Sequence, residues 1–174
     1  MIEMRALGAD DWRLWRDLRL AALAEAPDAF GSRLADWQGD GDREERWRSR
    51  LAMPGSHNLV AEVDGAPAGM ASGVPAEDPA ARGLIAMWVR PASRGLGVGD
   101  ALIRAVADRA RAEGASELRL AVYEHNAAAL RLYQRNGFEV ASEAGVERFM
   151  VMPLGERLGG DGLIRGRASP ARRP

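Results

Sequence analysis

The chain has 174 residues, with 25 acidic and 24 basic side chains, no cysteine and a net charge of −1, and a pI near 6.2. That balance argues against a nonspecific nucleic-acid binder, and the missing thiols exclude a disulfide framework, a cysteine nucleophile and a zinc–thiolate site. No run reaches the roughly 18 apolar residues of a membrane span, and Met1-Ile2-Glu3-Met4-Arg5 lacks the shape of a signal peptide, so a cytoplasmic, non-membrane protein is expected.

All 24 basic residues are arginine, which the codon bias of a GC-rich genome accounts for; the protein has no lysine of its own to modify. A chain of this length forms one domain that buries roughly two-thirds of its unfolded surface.

Residues 1–6 read as a first strand. Asp10 or Asp11 is expected to cap an amphipathic helix that carries Trp12, Trp15, Leu18, Leu20 and Leu23 and ends before Pro27. A Gly/Asp-rich loop leads to a short Arg/Glu-rich helix near residues 43–51. Residues 58–63 and 68–74 read as an antiparallel hairpin across Asp64-Gly65. A loop at 75–81, a strand at 84–89, a helix at 98–113, a strand at 117–122 and a helix at 127–135 follow. Strands near 138–142 and 146–153 close a domain predicted to span 1–154. Residues 155–174, rich in Gly, Arg and Pro without apolar periodicity, read as a tail.

Two segments carry chemistry. The first is Arg94-Gly95-Leu96-Gly97-Val98-Gly99, between a strand and a helix. Such a loop presents backbone N–H groups at the positive end of a helix dipole, a site suited to phosphate or pyrophosphate. A P-loop would need Lys and then Ser or Thr after the last glycine, where Asp100-Ala101 stand. The dinucleotide fingerprint would put its third glycine at Asp100 and would follow its strand more tightly. Taken alone, the loop can also be read as a sharp strand–turn–helix connection, the lesser of the two readings. The second segment runs from Asn126 to Phe138. Asn126 is a good helix N-cap, Asn136-Gly137 a stop, and Asn126 and Tyr133 lie about two turns apart on one helix face. Taken alone, Tyr133 is best read as a core aromatic with a hydrogen-bonded tip.

Together, in this order, the two segments resemble the GNAT N-acetyltransferase superfamily. Arg94-Gly95-Leu96-Gly97-Val98-Gly99 is similar to its R/Q-x-x-G-x-G/A pyrophosphate loop. Asn126-x-x-Ala129-x-x-Leu132-Tyr133-x-x-x-Gly137-Phe138 is similar to its cofactor-binding and proton-donor helix. The resemblance implies an α/β (α+β) GNAT-like fold, with a mostly antiparallel mixed sheet of about seven strands, splayed at its centre and flanked by about four helices. It implies acetyl-CoA as cosubstrate and no metal. Met87, Trp88, Val89, Arg94, Gly95, Leu96, Gly97, Val98, Gly99, Asp100, Asn126, Ala129 and Tyr133 would bind the cofactor. A backbone N–H at Met87 or Trp88 would polarise the thioester carbonyl, an amine would attack directly, and Tyr133 would protonate the departing thiolate. Asn126 would bond the pantetheine arm or a nearby carbonyl.

Family members often place an acid on the central strands, and those positions hold Gly83 and Ala121 here, which cannot take a proton. Glu124, His125, Glu77, Asp78, Glu147 and His57 are the remaining base candidates, beside a water relay or an amine already neutral. The acceptor pocket is expected from Phe30-Gly31-Ser32-Arg33, Trp47 and the loops 75–81 and 144–148. Trp37, Trp47 and Trp88 are read as pocket lining or core, and Glu77-Asp78 as an attractor for a cationic amine. The partner is thus an amine-bearing acceptor (antibiotic, polyamine, amino acid or protein N-terminus), with no nucleic acid and no membrane, for a monomer or homodimer. The alternative is a non-catalytic acyl-CoA-binding module.

Overall fold

Seven strands form one sheet in a computed structural model that describes residues 1–155. They are β1 (Ile2–Leu7), β2 (His57–Val63), β3 (Ala66–Pro75), β4 (Ala81–Val89), β5 (Glu117–Tyr123), β6 (Glu139–Ala144) and β7 (Glu147–Pro153). Their order in the sheet is β1-β2-β3-β4-β5-β7-β6. Four α-helices flank it: α1 (Trp12–Glu25), α2 (Glu44–Leu51), α3 (Val98–Ala112) and α4 (Ala127–Arg135). The predicted tail lies, Gly155 apart, outside the described residues.

Turn chemistry sets the registers. Asp64 and Gly65 both take positive φ (50° and 83°), the backbone of a tight hairpin whose twist matches its strands, and β2 pairs with β3 across it. Asp11 does stand at the N-cap of α1, but its side chain makes no capping bond to the helix. A 3₁₀ turn over Ala9–Asp11 precedes the helix. The Asp11 carboxylate instead reaches back to accept from the Gly8 N–H at 3.0 Å. β4 begins at Ala81 rather than Leu84 because its first residues pair with β3 and β5.

The helices bury apolar stripes on opposite faces of the sheet. Val98, Leu102, Ile103, Val106 and Ala110 of α3 pack with Leu59, Leu118 and Met150. Trp15, Leu18 and Ala22 of α1 join Trp47 and Leu51 of α2 over Val60, Met70 and Trp88. At roughly 1.5–3 kcal/mol for each fully buried large apolar side chain, these two layers stabilise the sheet, whose strand pairing is interrupted at one seam.

That seam lies between β4 and β5. The strands are parallel and pair only at Ala81, Arg82 and Gly83 against Glu117, Leu118 and Arg119; beyond Gly83 they part. On the other side of β4 the register with β3 shifts between Met70 and Ser72, where Ala86 has φ 54°. A bulge of this kind bends the strand and leaves a residue out of the ladder. β4 thus turns away from β5 and opens the sheet.

Candidate active site

The gap between β4 and β5 opens into a cavity of about 930 Å³. Its walls come from β4, the loop before α3, the inner face of α4, and the segment from α1 through Trp37 to α2.

At one end stands the glycine loop. Gly95 (φ 80°) and Gly97 (φ 85°) occupy the left-handed region, where a Cβ would be strained. Nothing lies within 4 Å of where either Cβ would stand. The N–H groups of Gly95, Leu96, Gly97, Val98 and Gly99 find no acceptor among the described residues, and they cluster at the N-terminus of α3. Gly99 serves a different end: a Cβ there would meet the Leu132 methyls at 3.1 and 3.3 Å, so this glycine lets α3 and α4 approach. Five arginines line the cavity against two carboxylates, Glu25 and Asp100. Open backbone donors suit the phosphates of a CoA molecule.

Not every residue of the loop faces inward. Gly95, Gly97, Val98, Gly99 and Asp100 line the cavity, whereas Leu96 does not and is exposed. The Asp100 carboxylate accepts from Arg135 Nε (2.9 Å) and Asn136 Nδ2 (2.7 Å). The Arg135 guanidinium holds it below the usual carboxylate range, so it joins the start of α3 to the end of α4. The Arg94 guanidinium donates to Glu25 Oε2 at 2.8 Å and to the Val89 carbonyl at 3.1 Å. Arg94 therefore braces the loop against α1 and β4. Arg131, exposed on α4, also lines the cavity and makes no ion pair among the described residues; it stands at a position of the second motif that the pattern leaves open, so the motif does not mark it.

On α4, Asn126 Oδ1 caps the helix by accepting from the Ala129 N–H at 3.2 Å, and Asn126, Ala129 and Tyr133 all line the cavity. The Tyr133 ring packs edge-on against Phe138 at 5.7 Å. Burial pushes its phenol up to about 12, so it stays protonated at any physiological pH. Its hydroxyl makes no hydrogen bond among the described residues and is not sealed from the cavity. Met87, Trp88 and Val89 lie along the stretch of β4 that no longer pairs with β5, though Trp88 and Val89 stay paired with β3, and all three line the cavity.

The other end is aromatic and cationic. Phe30, Gly31, Ser32, Trp37, Trp47 and Trp88 line it as expected, without Arg33 or the loops 75–81 and 144–148. Glu25, unmarked by any motif, accepts from Trp88 Nε1 at 2.9 Å as well as from Arg94, and those two donors hold it below the usual carboxylate range. Arg19 of α1 and Arg50 of α2 also reach this end. The detectable signal for Arg19 was an arginine one turn from Trp15 on the apolar stripe of α1.

None of the six base candidates lines this cavity. Glu124 is paired with Arg148, and Asp78 is paired with Arg119 at 2.8 Å. His125 stacks on Tyr123 and has Nε2 3.1 Å from the Asp28 carbonyl, at a separate shallow pocket. His57 is half-buried, its pKa lowered by that burial and by Arg109. Neither Glu77 nor Asp78 lines the cavity, and Asp78 is engaged by Arg119. Ala121 puts only a methyl on the wall.

Comparison with known proteins agrees with the geometry. Residues 15–138 match the acetyltransferase (GNAT) family. An L-methionine sulfoximine/L-methionine sulfone acetyltransferase of Pseudomonas aeruginosa is 32% identical over 140 residues, 72% of this chain and 81% of that protein. The PaiA N-acetyltransferase of Thermoplasma acidophilum in complex with coenzyme A superposes with a TM-score of 0.72 at 19% identity, covering 88% of this chain and 99% of the other. The YncA protein of Salmonella typhimurium, with its cofactor acetyl-CoA, superposes at 0.72 with 24% identity, covering 94% and 99%. Among the described residues no helix is long and apolar enough to cross a membrane.

Proposed function

Because the chain belongs to the GNAT family and is an acetyl-CoA-dependent N-acetyltransferase, we propose that it acetylates the primary amine of a small acceptor by direct transfer, with Tyr133 as proton donor. Acetyl-CoA supplies an activated thioester, which the amine attacks as CoA leaves through sulfur. The free N–H groups from Gly95 to Gly99 hold the pyrophosphate, helped by the positive wall that Arg131 and Arg135 complete. The edge of β4 that has parted from β5 takes the pantetheine arm in this reading, and a backbone N–H at Met87 or Trp88 polarises the thioester carbonyl. Asn126, its oxygen committed to the helix cap, keeps its amide N–H₂ for the arm.

The observation that carries this reading is the Tyr133 hydroxyl, protonated and without a protein partner, on the wall that the phosphate-binding loop shares. A thiolate leaving in a dry cleft loses solvation, and a phenol at hand replaces it with a proton. The amine loses its own proton before attack, to solvent or a water chain, since among the described residues no carboxylate or imidazole free of a partner lines the cavity. The acetyltransferase unit spans 1–154, with 155–174 appended to it. Tyr133→Phe keeps the ring against Phe138 and removes only the O–H. Single-turnover transfer should slow by about 10²-fold or more with little change in melting temperature. An unaltered chemical step retires Tyr133 as the acid.

A further inference from the structure

The acceptor end of the cavity holds two arginines that have no acid. Arg19 lies over the Phe30 ring, its guanidinium carbon 4.6 Å from the centroid. Its Nη1 is buried without a hydrogen-bond partner, and no ion pair or hydrogen bond engages the rest of the group among the described residues. Arg50 lies 5.4 Å from the Trp15 centroid. It donates to Asn58 Oδ1 at 3.0 Å and Ser72 Oγ at 3.2 Å, both neutral and both buried. Burial, and then the charge of Arg50, push the Arg19 guanidinium down to about 10; burial lowers Arg50 as well. The carboxylates on the cavity wall are already taken, Glu25 by Trp88 and Arg94 and Asp100 by Arg135 and Asn136.

A buried guanidinium without an anion destabilises the fold, and two beside each other do so further. A protein keeps such an arrangement where a ligand completes it. The guanidinium fork matches the two oxygens of a carboxylate, while a polyamine or another polycation would add like charge. Phe30 and Trp37, both half-buried, line this end with the buried Trp15 and Trp47, and the exposed parts of Phe30 and Trp37 offer apolar surface to the rest of the molecule.

We propose that the acceptor is an α-amino acid with an apolar side chain, its carboxylate seated between Arg19 and Arg50 and its side chain against the aromatic wall. The inference rests on reading this cavity as the site of acetyl transfer. The carboxylate anchors the acceptor and the amine is left facing the gap between β4 and β5. The remaining positive charge around it favours the neutral, nucleophilic amine over the ammonium, which fits a cavity without a base.

Calorimetry on the enzyme–CoA complex tests this with L-leucine, L-methionine and L-phenylalanine, each beside its amide and its decarboxylated amine. At least one acid should bind about 10- to 100-fold tighter than its amide, the worth of a charge-assisted pair. Arg19→Met should erase that preference while CoA affinity holds and the melting temperature stays or rises, since an unpaired buried charge is removed. Arg19→Lys, which keeps the charge, should restore part of the preference and covers the case in which the methionine variant does not fold. The proposal is overturned if no acid outcompetes its amide, a panel without any binding included, or if the preference survives Arg19→Met. Acetylation of the decarboxylated amines at rates equal to the acids would discard the carboxylate seat and leave the transferase reading standing. Absent CoA binding would instead remove that reading itself.

Discussion

Ala86 shows how much of this site is set by single backbone positions. It holds φ 54° inside β4, a conformation that costs an L-residue roughly 1 kcal/mol. The strain bends β4 away from β5 and is invisible in the sequence, where a glycine would have marked it. Ala86→Gly should therefore leave the melting temperature unchanged or slightly higher. Ala121→Gly, in the regular ladder of β5, should cost roughly 0.5–1 kcal/mol. Equal losses at both positions would deny the strain. The glycines of the loop were legible as a group, but not their separate reasons: Gly97 answers to φ and Gly99 to Leu132. The base candidates failed because proximity along the chain says little about which wall a side chain faces. Glu124→Gln and His125→Gln, both off the cavity, should each lower kcat/KM by less than about tenfold, against the 10²–10⁴ of a true base. A larger loss in steady-state assays at either position would put a base there.

At the scale of elements, the periodic helices and the Asp64-Gly65 hairpin could be read from the chain because period and turn chemistry act locally. The link from α1 to α2 could not, since its order comes from a distant ion pair. Asp42 Oδ1 accepts from Arg16 Nε at 2.7 Å and from the indole of the fully buried Trp47 at 2.8 Å. Arg16 first, and then Trp47, hold the Asp42 carboxyl down at about 2. Its folded pKa lies below the ordinary 3.8, so the clasp stabilises fully above that range and is lost as pH falls toward 2. After solvent screening it is worth on the order of 1 kcal/mol. Asp42→Asn should lower stability by about that amount at pH 7 and flatten the acid limb of the stability curve below pH ~5. Urea melts at pH 7 and pH 3 decide it: an unchanged acid limb would show that the clasp contributes nothing. Arg19 and Arg50 reach one end of the cavity only because α1 and α2 are set side by side over the sheet.

For the molecule as a whole, the parted strands, the loop of open N–H groups and the buried phenol form one continuous cavity. The two motifs could be read from the chain because each is a contiguous stretch, and both line the cavity. The aromatic and cationic end is assembled from α1, α2 and the segment between them, and no contiguous pattern announces it. The account stands on acetyl transfer from CoA to an amine through this cavity. Its most direct test is CoA thiol release from acetyl-CoA, followed with a thiol-reactive dye in the presence of single amines that include the amino acids above. Catalysed release matched mole for mole by N-acetylated product, with the enzyme itself unmodified in intact mass, is the predicted result. Release no faster than the enzyme-free background with every amine, from a protein that binds acetyl-CoA, would contradict it.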